Sequence, residues 1–106
     1  MGIYLGNLFN STAQTKPTEN IAGTIWVTPD EDEYRFGKQT VTYYMWAIDG
    51  DDFEAEGTYK QTADSVHMEF SFMSVEATIK GNLMEITETS KEDNSKEKFI
   101  AKKKVR

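Results

Sequence analysis

The chain has 106 residues, no cysteine, and 18 acidic against 12 basic side chains, for a formal net charge of −6. That length holds one domain, and 38% hydrophobic with 12% aromatic residues is the composition of a folded chain with a modest core. Without Cys there are no disulfides, thiolate nucleophiles or Cys-ligated zinc and iron–sulfur sites; a pI near 4.7 argues against binding nucleic-acid phosphates, and no apolar run reaches the roughly 18 residues of a membrane-crossing helix.

Residues 1–20 stand apart. They open with an apolar cluster (Ile3, Tyr4, Leu5, Leu8, Phe9) and turn polar around Pro17. A basic n-region and a continuous apolar h-region are both lacking, so this is not an intact signal peptide. The expectation is a short helix or turn over 1–9 and a linker over 10–20. A mature exported protein that has lost its signal has the same look, and a periplasmic or extracellular location is favoured over the cytoplasm.

From Ile21 onward the chain is a succession of short period-2 segments. Phe53, Ala55, Gly57 and Tyr59 alternate with Glu54, Glu56, Thr58 and Lys60. Val66, Met68, Phe70 and Phe72 alternate with His67, Glu69 and Ser71; Val75, Ala77 and Ile79 alternate with Glu76, Thr78 and Lys80. Such alternation marks strands with one buried and one wet face. Turn chemistry punctuates them at 29–32, 37–38, 49–51, 62–64, 81–82 and 91–94, and Asp49-Gly50 and Gly81-Asn82 suit two-residue hairpins. The segments predict about eight strands, near 22–28, 33–37, 40–48, 52–60, 65–73, 75–80, 83–88 and 96–105. Connections this short exclude parallel crossovers, which need about a dozen residues. The fold class is therefore all-β: an antiparallel meander, closed into a β-barrel over 21–106 to hide its edges, with a two-sheet sandwich as the alternative. Gly57, inside a strand, marks a bend or a close backbone approach.

Gly23-Thr24-Ile25-Trp26, Tyr34-Arg35-Phe36, Glu56-Gly57-Thr58-Tyr59 and the run Ile79-Lys80-Gly81-Asn82-Leu83-Met84-Glu85-Ile86 carry a family pattern. Over residues 21–105 the chain resembles the small bacterial lipocalin-like domains of the calycin group. The resemblance implies a meander barrel, with Arg106 as the counterpart of the arginine that lipocalins pack across the first-strand Trp, here Trp26.

Candidate chemistry is sparse. The acidic runs 30–33 and 49–52 offer carboxylates of the kind calcium takes, but 49–52 lacks the spacing and closing Glu of an EF-hand loop. They read as solvated hairpin tips. His67, the single histidine, falls on the outer face with Glu69; Ser65, His67 and Glu69 would point outward in one row rather than converge on a substrate. Glu54 and Glu56 share a strand face, with nothing to mark them as a buried glycosidase pair. No nucleophile–base constellation emerges, so no enzyme activity, metal or cofactor is expected. The basic stretch 96–106 reads as a lysine-protected edge strand.

The third strand departs from one-sided patterning, with Val41, Tyr43, Met45 and Ala47 in one row and Tyr44, Trp46 and Ile48 in the other. Two functional readings follow. In the first, the protein is a non-enzymatic binding module that holds a small apolar ligand in the barrel, lined by Tyr43, Met45, Phe53, Tyr59, Met68, Phe70 and Phe72. In the second, Tyr44, Trp46 and Ile48 form an exposed face for a protein partner, a homodimer or an inhibited target. Neither involves nucleic acid or a membrane span.

Overall fold

Eight strands follow one another with short connections in a computed structural model that describes residues 20–46, 50 and 52–105. They are β1 (Ile25–Val27), β2 (Glu33–Phe36), β3 (Thr40–Met45), β4 (Phe53–Thr62), β5 (Ser65–Glu69), β6 (Met73–Lys80), β7 (Leu83–Ser90) and β8 (Lys96–Lys103). Each pairs antiparallel with the next, and β1 closes against β8 through Trp26↔Lys103 and Val27↔Lys102. The described residues contain no helix. The all-β meander barrel expected from alternation is the fold, and the sandwich alternative falls. The helix or turn expected over 1–9, the linker over 10–19, Ile48 and Arg106 lie outside the described residues.

One row of each strand fills the interior. Trp26, Tyr34, Phe36, Val41, Tyr43, Val66, Met68, Val75, Ala77, Met84, Ile86 and Ala101 pack as one core, none more than 7% exposed. Each large apolar side chain so buried contributes about 1.5–3 kcal/mol. An eight-stranded barrel is just wide enough for such side chains to meet in the middle.

The two ends differ. At one end the connections are short: 37–39, and two-residue turns at Ala63-Asp64 and Gly81-Asn82, with Ala63 and Gly81 in left-handed backbone. Ile21, 2% exposed, plugs that floor. Thr24 Oγ1 accepts from Trp26 Nε1 at 2.9 Å and donates to the Ile21 carbonyl, which ties the plug to β1. At the other end, 28–32, 70–72 and 91–95, with the described Trp46 and Asp52, form the rim of a mouth.

Two boundaries depart from the alternation pattern. β3 stops at Met45, short of the expected end at 48, and Asp49 of the expected Asp49-Gly50 turn lies outside the described residues. The strand expected over 65–73 ends at Glu69; Phe70 donates its backbone N–H to the Met73 carbonyl, and Phe70 and Phe72 sit in the turn between β5 and β6. The cause lies across the wall at Gly57. A Cβ there would stand 2.2 Å from the Glu69 carbonyl oxygen and 2.7 Å from Phe70 Cδ1. The bare glycine lets the end of β5 press close against β4 and lay the Phe70 ring over Gly57. The Gly57 side of the alternation is thus a socket for a ring, as a close approach requires.

Gly57→Ala should therefore cost about 3 kcal/mol or more, at the upper end of overpacking penalties, because backbone and ring must both move. Urea unfolding measures it. A loss below about 0.5 kcal/mol, the level of an ordinary surface change, would refute the close approach.

Candidate functional site

The mouth is built from the upper halves of β2, β3, β7 and β8. β1 stops at Val27 because Thr28 turns the chain: its Oγ1 accepts from Asp30 N at 3.2 Å and Asp32 N at 3.0 Å, and its own N–H donates to the Asp32 carbonyl at 2.8 Å. Glu31 takes the left-handed conformation this turn needs. Since β1 pairs with β8 only at Lys102 and Lys103, residues 96–101 of β8 have no strand on that side among the described residues.

A cavity of about 290 Å³ occupies the gap, bounded by Thr28, Asp32, Tyr43, Glu88, Glu97 and Phe99. A wider cleft of about 830 Å³ shares Glu88 and Glu97 and extends over Phe72, Ser90 and Lys96. Beneath them stand two tyrosines with ring centroids 5.1 Å apart. Tyr34 donates its hydroxyl to Glu88 Oε2, and Tyr43 donates to Asp32 Oδ2 at 2.9 Å. From Tyr43 an aromatic chain climbs to the rim: Phe72 at 6.4 Å, then Phe53 at 5.9 Å from Phe72.

Burial, then the bonded carboxylate, lifts both phenols above their ordinary range, so both remain hydrogen-bond donors. Burial also pushes Glu88 above the usual carboxylate value; the Tyr34 bond pulls the other way, and repulsion from Glu97, Asp32 and Asp30 adds to the rise. Asp32 is raised by burial against the Tyr43 bond, with Asp30 adding repulsion. Among the described residues, neither carboxylate forms an ion pair with a cationic side chain.

The seven expected lining residues are divided among three places. Met68, Phe70 and Tyr43 belong to the packed core, with Tyr43 alone reaching the cavity through its hydroxyl end. Tyr59 lies at the floor end, donating to the Gly37 carbonyl at 2.6 Å. Met45, Phe53 and Phe72 are exposed on the rim. Of the expected interface row, Tyr44 lies on the outer wall beneath Trp46, their rings 4.8 Å apart, and Trp46 is 55% exposed. Tyr44 also carries the Arg35 guanidinium over its ring at 4.2 Å, and its bond to Asp52, with burial, lifts its hydroxyl to about 12. Sequence reasoning missed Asp32 and Glu88. Glu88 was legible as the residue that continues the inward row Met84, Ile86 with a carboxylate; Asp32 was hidden in a run read wholly as solvated turn.

His67 stands on the outer wall, as alternation placed it. Its Nδ1 meets Glu76 Oε2 at 2.5 Å and its Nε2 meets Glu69 Oε2 at 2.6 Å. Lys91 Nζ reaches Glu69 Oε1 at 3.0 Å, and the Ser74 hydroxyl donates to the same carboxylate. The Glu76 bond, opposed by desolvation and reinforced by Glu69, raises the imidazole above 6.5; Lys91, then His67 and Ser74, lower Glu69 to about 2. Both ring nitrogens are engaged by acids, so the cluster is a surface clamp rather than a nucleophile–base pair. Comparisons with known proteins return no match: no family model, no curated protein and no solved structure aligns with this chain.

Two pH-linked outcomes follow. A carboxyl whose folded value is raised favours the fold when protonated, and that contribution is lost as pH climbs through the raised value. Glu88→Gln keeps an acceptor for Tyr34 and should be more stable than wild type at pH 7, with the gap narrowing at pH 5; a variant less stable at pH 7 in urea unfolding would refute the uncompensated charge. For the clamp, the imidazole contribution is complete below about 6.5 and fades as pH rises past its raised value, while that of Glu69 is complete above about 4.5 and fades toward 2. Wild type should therefore exceed His67→Gln most between pH 4.5 and 6.5, by no more than about 1 kcal/mol at so exposed a site. A difference that grows above pH 8 would contradict the clamp.

Proposed function

We propose that the protein is a lipocalin-like, non-enzymatic binding module that takes a small ligand with an apolar body at the open end of its barrel. The observation that carries this reading is the contrast between the ends: a plugged floor and a filled interior below, and above them a cleft in which an aromatic chain meets paired tyrosines and carboxylates. Ligand sites are concave and largely apolar, with a few convergent polar groups that fix orientation. The ligand is held at the mouth, by Tyr43, Phe53 and Phe72, and not deep among Met68 and Phe70, whose contacts the core uses. Trp46, exposed beside Met45 and Phe53, supports the second reading, in which this lip meets a protein partner or a second copy.

Titration with N-phenyl-1-naphthylamine, a neutral apolar fluorophore, separates them. The binding reading expects saturable uptake of one dye per chain, weakened several-fold by Phe72→Ser. No saturable uptake, together with assembly in light scattering that Trp46→Ala abolishes, would replace it with the second.

A further inference from the structure

β8 is paired along the whole of one side and at only one end of the other. Its residues 96–102 run against β7 without a break, from Thr89↔Lys96 to Leu83↔Lys102, but β1 meets only Lys102 and Lys103. The main-chain groups of an antiparallel strand point to its two neighbours by turns. Lys103 donates its N–H to the Asn82 carbonyl at 2.8 Å and Lys104 to the Ile25 carbonyl at 2.7 Å, which fixes that order along β8. Glu97, Phe99 and Ala101 therefore bond to β7, while Lys96, Lys98 and Ile100 direct their N–H and C=O groups into the gap beside β1. The turn that follows β1 does not fill it. Thr28 donates to the Asp32 carbonyl, Asp30 and Asp32 donate to Thr28 Oγ1, Glu31 donates to the Thr28 carbonyl at 2.9 Å, and Pro29 has no N–H. Every N–H from 28 to 32 is thus used within the turn, and among the described residues no main-chain hydrogen bond joins it to Lys96, Lys98 or Ile100.

A strand edge with open main-chain groups is a template for another strand, and the side chains along this one select its partner. Lys96, Lys98 and Ile100 are all exposed on the outer wall, Ile100 at 49%. Lys96 donates to the Thr89 hydroxyl, and among the described residues neither lysine forms an ion pair with an acid. A second copy of the same edge is a poor fit: antiparallel pairing centred on Lys98 or on Ile100 sets lysine opposite lysine, which is destabilising. We infer that the open edge of β8 takes an extended peptide segment of a partner protein as an added antiparallel strand, with an apolar side chain opposite Ile100 and acidic ones opposite Lys98 and Lys96. The side chains between them turn inward to Phe99 and Glu97, which favours an apolar residue followed by a lysine. Main-chain bonds then supply the affinity and alternate side chains the specificity. This strand site needs neither the small ligand nor the Trp46 lip, and each can fail without the other.

Titration of the whole chain at low salt with the capped peptide acetyl-Thr-Val-Val-Glu-Lys-Glu-Thr-amide tests this, read by calorimetry and by residue-resolved amide hydrogen exchange. Bound peptide should slow exchange at Lys98 and Ile100 at least about fivefold and leave Phe99 and Ala101, already bonded to β7, unchanged. A peptide carrying Lys-Glu-Lys in place of Glu-Lys-Glu should bind at least about fivefold more weakly, as two exposed charge pairs allow, and Lys98→Glu should narrow that preference. N-methylation of the first Glu, which removes the donor to the Lys98 carbonyl, should abolish binding. No binding below about 1 mM, equal affinity for the two charge patterns, undiminished binding of the N-methylated peptide, or binding that leaves exchange at Lys98 and Ile100 unchanged would each overturn the added strand. Protection of those two amides in the chain alone, with a dimer in light scattering, would overturn the peptide partner in favour of a second copy.

Discussion

Closure of the barrel hangs on the contact between its first and last strands. β1 has three residues and meets β8 at two register pairs. Without that contact both strands would present open edges. The seam is reinforced from outside. Glu33 sits on the outer row of β2, nearly buried, and takes Arg35 Nε at 2.8 Å and Lys104 Nζ at 3.3 Å. Burial pushes its carboxyl up, but the two cations outweigh burial and hold it below its ordinary value. Lys104 also donates its backbone N–H to the Ile25 carbonyl at 2.7 Å, so the chain after β8 is pinned by both main chain and side chain. Because the seam is so short, the wall above it parts, and the parting forms the small cavity.

The molecule treats its carboxylates in opposite ways on the two sides of this wall. Outside, Glu33 and Glu69 are surrounded by cations and held in the charged form. At the mouth, Asp32 and Glu88, both half-buried, are bonded among the described residues by neutral phenols and stand near other acids. The first arrangement serves the fold. The second works against it, since desolvated charge without a counter-charge destabilises the native state. Local disagreement between side-chain chemistry and fold stability is the pattern expected where a site is kept for something other than folding.

Most of the barrel was legible because period-2 alternation is a direct image of a wall with one wet face. Phe53 to Lys60 and Val75 to Lys80 could be read residue by residue. What alternation could not reveal was where a strand ends when the next two residues keep the rhythm. Phe70 and Phe72 continue the pattern of Val66 and Met68, yet they leave the sheet because the glycine opposite gives the first ring a place to lie. The aromatic residues of the notional pocket were legible as apolar but not as core, floor or rim, since one face of a strand passes through all three depths. Asp32 escaped because its neighbours Asp30 and Glu31 are exposed turn residues and only the Thr28-capped turn carries the next side chain inward. Composition and strand period say which residues face in; they do not say how far down.

The plugged floor has a kinetic meaning. With Ile21 locked beneath Trp26 through Thr24, the barrel is a cup and not a tube. Anything that reaches the tyrosines must leave by the opening it came through, over the same rings and past the same acids. On the proposed binding reading, arrival and departure share that one opening, and a rim side chain that also holds the ligand, such as Phe72, acts on both the speed of exchange and the affinity.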